Sequence, residues 1–145
     1  MEKKLQDKIY KKYPKIFVRR KLPMTQTCMC WGLACSDGWY KLIDLLCANL
    51  QWDTDHNDYP QIEATQVKEK YGTLRFYYSY AEGDTKCDER KHGYQDGMIS
   101  FAEQMSGYIC EKCGSTIGVT QTKGWIISLC ASCMKEYKKK RGIKK

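Results

Sequence analysis

An α+β fold, in which two helices pack on a small antiparallel sheet and a four-cysteine module follows, is predicted for this chain by three observations. From Gly38 to Leu50 apolar side chains recur at Trp39, Leu42, Ile43, Leu46 and Leu50, the spacing of a helix that buries one face. From Leu74 to Tyr80 the period falls to two, with Leu74, Phe76, Tyr78 and Tyr80 alternating against Arg75, Tyr77 and Ser79. Near the C-terminus stand two Cys-x-x-Cys pairs, Cys110/Cys113 and Cys130/Cys133, with sixteen residues between them.

Taken in order, residues 2–13 read as a short helix with Leu5 and Ile9 on one face, stopped by Pro14. Leu22 to Ser36, with Pro23 and three cysteines, reads as irregular. The helix from Gly38 follows, its first turn capped by Ser36 or Asp37. An acidic loop with Asp53, Asp55 and Asp58 leads past Pro60 into a β-hairpin, Ile62 to Glu69 and Leu74 to Tyr80, turning at Gly72. After a loop from Glu82 to Gly93, a second helix over Tyr94–Ser106 buries Met98, Ile99, Ala102 and Met105. Residues 1–107 form the α+β body with its basic N-terminal helix, and 108–145 the metal module with its basic C-terminal helix and tail.

At 145 residues the chain is long enough to bury a core without staples. It has no run of eighteen apolar residues, and its start leads into a charged amphipathic stretch with no apolar signal region. The expectation is a soluble protein of the cytoplasm, of the host cell if the chain is phage-encoded. Its nine cysteines are then thiols and metal ligands rather than disulfides.

The formal charge of +8 is unevenly spread. Residues 1–22 carry nine Lys and Arg against Glu2 and Asp7, residues 134–145 carry seven against Glu136, and the span between has nine basic and fourteen acidic side chains. Such ends engage phosphate where they converge in space, and otherwise serve as solvated termini.

The two cysteine pairs have the spacing of a zinc site: each Cys-x-x-Cys turn aims two sulfurs at one ion, and two such turns complete a tetrahedron. Four thiolates leave no open position, so the zinc is structural. Gly114 suits a knuckle that needs positive φ. Gly124 to Leu129 reads as a strand delivering Cys130, and Met134 to Arg141 has helical composition. Knuckle, hairpin, then a pair at a helix start resembles a treble clef more than a symmetric zinc ribbon. The order also resembles GATA-type fingers over about 35 residues, except that Lys123 is the single basic residue between the pairs.

Cys28, Cys30, Cys35 and Cys47 could form a second metal site, although the spacing is not a standard one and Cys47 also reads as a small buried hydrophobe. His56 and His92 fall in loops, with Cys87 a conceivable partner for His92. Signs of catalysis are few. Residues 108–145 contain no histidine, no phosphate-binding loop or serine elbow is present, and neither Glu63 nor Glu69 stands two before a Lys. Asp53, Asp55 and Asp58 could hold a divalent cation, or simply be solvated.

The stretches Ser36-Asp-Gly-Trp-Tyr40, Gln66 through Tyr78, Phe101-Ala-Glu-Gln-Met-Ser106 and Cys110-Glu-Lys-Cys-Gly114 resemble small zinc-binding proteins of phages and prophage regions. The resemblance spans most of residues 30–133. It implies a phage or mobile-element setting, carries no substrate with it, and implies through relatives without a full cysteine quartet that zinc supports the fold.

The leading expectation is a non-enzymatic accessory protein that binds nucleic acid or a nucleoprotein complex. Lys135, Lys138, Lys139, Lys140, Arg141, Lys144 and Lys145 would contact phosphate. The rival is an inhibitor of a host defence system that binds protein through the acidic segment Asp37–Glu63 and the Tyr-rich hairpin, with Arg75, Tyr77 and Tyr78 as contacts. A weaker rival is a metal-dependent enzyme.

Overall fold

The computed structural model describes residues 1–83 and 88–142. Cys87, Lys144 and Lys145 lie outside the described residues. The α+β arrangement is present, with four helices and two small sheets among the described residues and a C-terminal cysteine cluster.

Helix α1 (Lys3–Lys12) buries Ile9 and half-buries Leu5. The chain then lays Tyr13, Ile16 and Phe17 into the core, and Ile16 O accepts the Ala64 N–H at 2.7 Å. The stretch expected to be irregular contains two 3-10 turns, Val18–Lys21 and Met29–Trp31, and a two-residue strand β1 (Leu33–Ala34). So short a strand has no period to read. β1 pairs in parallel with β2 (Ile62–Lys70), Leu33 opposite Val67, so the sheet is mixed rather than wholly antiparallel.

β2 and β3 (Thr73–Tyr80) form the expected hairpin. Tyr71 (φ 54°) and Gly72 (φ 77°) make its turn, both in the left-handed region that right-twisted two-residue hairpins demand. A bulge between Ala64 and Gln66 shifts the alternation by one. Ile62, Ala64 and Val67 therefore all face the core beside Leu74 and Phe76.

Helix α2 runs Tyr40–His56, preceded by a 3-10 turn Asp37–Trp39. Asp53 and Asp55 thus lie in its last turns, not in a loop; a solvent-facing turn continues without the apolar stripe that ended at Leu50. Neither Ser36 nor Asp37 caps the helix. Their polar atoms go elsewhere, Ser36 to Glu111 and the Asp37 carboxylate to the Glu2 N–H at 2.6 Å.

Helix α3 (Glu89–Ser106) starts five residues earlier than Tyr94, because the Asp88 carboxylate accepts the Arg90 N–H at 2.9 Å and caps it. Its buried line is Gln95, Ile99, Ala102 and Ser106, with Met98 and Met105 half-buried. The polar members have partners on its neighbours. Ser106 Oγ accepts the Leu74 N–H at 2.7 Å, Glu103 accepts the Phe76 N–H at 2.7 Å, and Gln95 Nε2 donates to Pro60 O at 3.0 Å. α3 therefore satisfies the Leu74 and Phe76 donors of β3, an edge strand that would otherwise invite pairing there. Among the described residues no helix is long and apolar enough to cross a membrane.

Candidate metal centre

Cys110 sits at the end of the turn that follows α3, where Tyr108 and Ile109 N–H groups return to Met105 O and Ser106 O. From there the backbone closes a knuckle: Gly114 N donates to Cys110 O at 2.8 Å and Cys110 N to Ser115 O at 2.7 Å. Gly114 has φ 78°, as the sequence required.

The second pair stands at a helix start. Cys130 is the residue before α4 (Ala131–Lys140) and Cys133 lies in its first turn. Strands β4 (Thr120–Gln121) and β5 (Ser128–Leu129) form the intervening hairpin, with Thr120 opposite Leu129. Knuckle, hairpin and helix give the treble-clef order. β5 is shorter than Gly124–Leu129, because Gly124 is left-handed (φ 78°) and Thr122 accepts the Ile127 N–H, closing residues 122–127 into a tight loop.

The four sulfurs all lie within 4.8 Å of one another, and Cys113 Sγ is 3.7 Å from Cys130 Sγ. A tetrahedron with metal–sulfur bonds near 2.3 Å has sulfurs about 3.8 Å apart. The cluster is therefore compatible with a zinc-type ion. Cys110, Cys130 and Cys133 are buried and Cys113 is at the surface.

Sulfurs so close cannot all ionise without a cation among them. Hydrogen bonds from the Ser132 hydroxyl and the Cys133 N–H lower the Cys130 thiol to about 6, whereas burial and the neighbouring thiols push Cys133 up to about 12.

The centre is joined to the body at three places. Trp39, fully buried, donates its indole N–H to Ile109 O at 3.1 Å. Gly38 N donates to Glu111 O at 2.7 Å, and Glu111 Oε1 accepts both the Ser36 N–H and hydroxyl at 3.0 Å. Burial raises the Glu111 carboxyl above the usual range, in spite of those donors. At the hairpin tip, Ser128 Oγ donates to Gly72 O at 2.6 Å. A side chain at Gly38 would lie 2.6 Å from Gly114 N and closer still to the carbonyl oxygens of Cys110 and Glu111. Sequence reasoning passed over Glu111, Ser36 and Gly38 as site residues, although all three stand in the stretches that carried the phage resemblance.

The second cysteine set is not brought together. Among the described residues the quartet is the one group of three or more Cys, His, Asp or Glu within ligand reach of each other. Cys47 is buried on the inner face of α2, Cys35 is buried with its thiol pushed up to about 12, Cys30 donates to Thr27 O at 3.3 Å, and Cys28 is exposed. Asp53, Asp55 and Asp58 are likewise dispersed, to Asn57, to Lys15 and Gln51, and to Lys91. The histidines lie in helices rather than loops, His56 stacked on Trp52 and His92 on Tyr80.

The hairpin contacts separate onto two faces. Tyr77 is 41% exposed on the outer face and Arg75 is half-buried beside it. Tyr78 turns to α3, where its hydroxyl bonds Asp96, so it does not share Tyr77's surface. On α4, Lys135, Lys138, Lys139 and Lys140 are exposed, as is Arg141 just beyond it, with its guanidinium 5.2 Å from the Tyr137 ring centre.

Fold and cluster together define a small α+β protein with a four-cysteine cluster that could hold a metal ion. Comparison with protein-family models, curated proteins and solved structures finds no match to this chain, so its function is read from its own residues.

Proposed function

We propose that this is a non-enzymatic, zinc-stabilised accessory protein of phage type whose C-terminal module binds nucleic acid, alone or within a nucleoprotein complex. One observation carries the reading: four of the nine N-terminal cations are tied to acids, three of them on the body, whereas no lysine of α4 has an ion pair among the described residues. Lys12, Lys15 and Arg19 are paired with Asp44, Asp55 and Glu63 of the body, each at 2.8 Å. Lys135, Lys138, Lys139 and Lys140 have no ion-pair partner among the described residues, and the one acid of α4, Glu136, is taken by Lys112. Zinc holds the start of α4 against the body, so that these charges project from a fixed element.

The same pairs weigh against capture of a basic host protein by the acidic segment, since Asp44, Asp55, Asp58 and Glu63 already have cations. The test is anisotropy of labelled 20-mer duplex and single-stranded oligonucleotides titrated with zinc-loaded protein at 50 and 200 mM salt. Binding that weakens steeply with salt supports the reading. Absence of binding at 50 mM overturns it.

A further inference from the structure

Between Gln66 and the turn, the outer face of the β2–β3 hairpin is a strip of cations and aromatic rings without an acid; Glu63, further along that face, is paired with Arg19. The register sets Gln66 opposite Tyr77 and Lys68 opposite Arg75, and Lys70 closes the strip at the turn. Lys68 Nζ lies 5.5 Å from the Tyr77 ring centre and Lys70 Nζ 5.7 Å from that of Tyr71, which is 69% exposed. The one acid in this part of the hairpin, Glu69, sits on the alternate face opposite Leu74, and its carboxylate accepts the Gly72 N–H at 2.7 Å.

The strip continues onto the module. A side chain at Gly72 would come within 2.9 Å of Ile126 and 3.0 Å of Gln121, so the hairpin turn abuts the loop that carries Trp125, 66% exposed, and Lys123. Lys123 in turn shares a cleft of about 380 Å³ with Lys138 of α4. At the opposite end a groove of about 480 Å³ runs from Tyr77, Gln66 and Lys68 to Gln26 and Met24.

We infer that this strip, from Tyr77 past Tyr71 to Trp125, is a binding track for single-stranded nucleic acid. Lys68, Lys70, Arg75 and Lys123 hold the phosphates while bases stack on the three rings. The inference deepens the proposed function and rests on it. Exposed rings interleaved with cations favour a single strand because stacking needs open base faces, which a duplex hides. The phosphate lysines of α4 then extend the track rather than form a separate site.

The test uses zinc-loaded full-length protein, with fluorescein-labelled (dT)15, a 15-base-pair duplex and a labelled poly-glutamate of similar charge as probes. Tyr77→Ala and Trp125→Ala should each weaken (dT)15 binding about fivefold or more, the lower end of the effect of losing one stacked base. Tyr77→Phe should keep it, and duplex binding should not change. As a second readout, (dT)15 should quench protein fluorescence in wild type and not in Trp125→Leu. Equal binding of (dT)15 and poly-glutamate, or full (dT)15 affinity in both alanine variants, would overturn the track. If wild type binds the duplex in either case, the proposed function survives that result, whereas binding of neither nucleic acid defeats both.

Discussion

The two ends of this chain have similar charge and opposite fates. The first 22 residues hold nine Lys and Arg and the last 12 hold seven. The N-terminal segment crosses the body where α2 and β2 present Asp44, Asp55 and Glu63, and its Lys12, Lys15 and Arg19 become ties to them. The C-terminal segment emerges from a metal centre as a helix whose acid is already paired. Charge density therefore says little about partners until the position of the opposite charges is known. Three cations tie the first end to the body, whereas the second follows the cysteine cluster and its α4 lysines have no ion-pair partner among the described residues.

The strongest way to break that contrast is to remove the metal. Cys113→Ser should lose the one zinc per chain expected by elemental analysis, and hydrogen exchange should show protection lost across residues 108–140 while α1 and α2 keep theirs. Structural zinc in isolated fingers contributes about 10–16 kcal/mol, so this is the largest effect. Folded, reduced wild-type protein without zinc would defeat it.

Next comes the joint between body and centre. Gly38→Ala forces a methyl group against the knuckle backbone and should cost about 3 kcal/mol in urea denaturation. Gly124→Ala, with φ 78° but open space around it, should cost only about 1 kcal/mol. Equal costs would mean that the knuckle yields.

The contrast is sharpened by neutralising each end in turn. Lys138→Gln, Lys139→Gln and Lys140→Gln together should lower nucleic-acid affinity at least tenfold and flatten the log–log salt slope by about 3, with the melting temperature unchanged. Changing Lys12, Lys15 and Arg19 to Gln should do the reverse, lowering the melting temperature while leaving affinity within about twofold.

The smallest effect concerns Asp44. Burial raises its carboxyl, but hydrogen bonds from Lys12 and Tyr13 outweigh this and hold it below the usual carboxylate range. A depressed folded value means that its contribution is complete above the unfolded value of about 3.9 and is lost as pH falls through the folded one. The stability difference between wild type and Asp44→Asn should be full at pH 7 and shrink as pH falls below about 4. A constant difference would leave the tie without an ionic part.

Of the metal centre, nearly everything chemical was legible, because ligand identity and spacing are local. Cys110, Cys113, Cys130 and Cys133 need only two tight turns to converge, and Gly114 reported the conformation of one of them. The α2 stripe and the hairpin alternation were legible for the same reason: periodicity is written residue by residue. What reached beyond it was missed. The parallel strand Leu33–Ala34 has no period of its own, the bulge before Gln66 is invisible without its partner strand, and Tyr78 was grouped with Tyr77 although adjacent strand residues face opposite ways.

By itself, then, the sequence determined the donor set, the helix and hairpin that flank it, and the total charge at each end. The tertiary structure decided which of those charges remain free. It also gave four stretches of the sequence their purpose: Ser36, Gly38 and Trp39 receive the knuckle, Gly72 receives Ser128, Glu103 and Ser106 bond β3, and Glu111 returns the bond to Ser36. Each joint links residues about 27 to 75 positions apart. Hydrogen bonds between distant segments leave no spacing in the chain to be read, so packing alone reveals them.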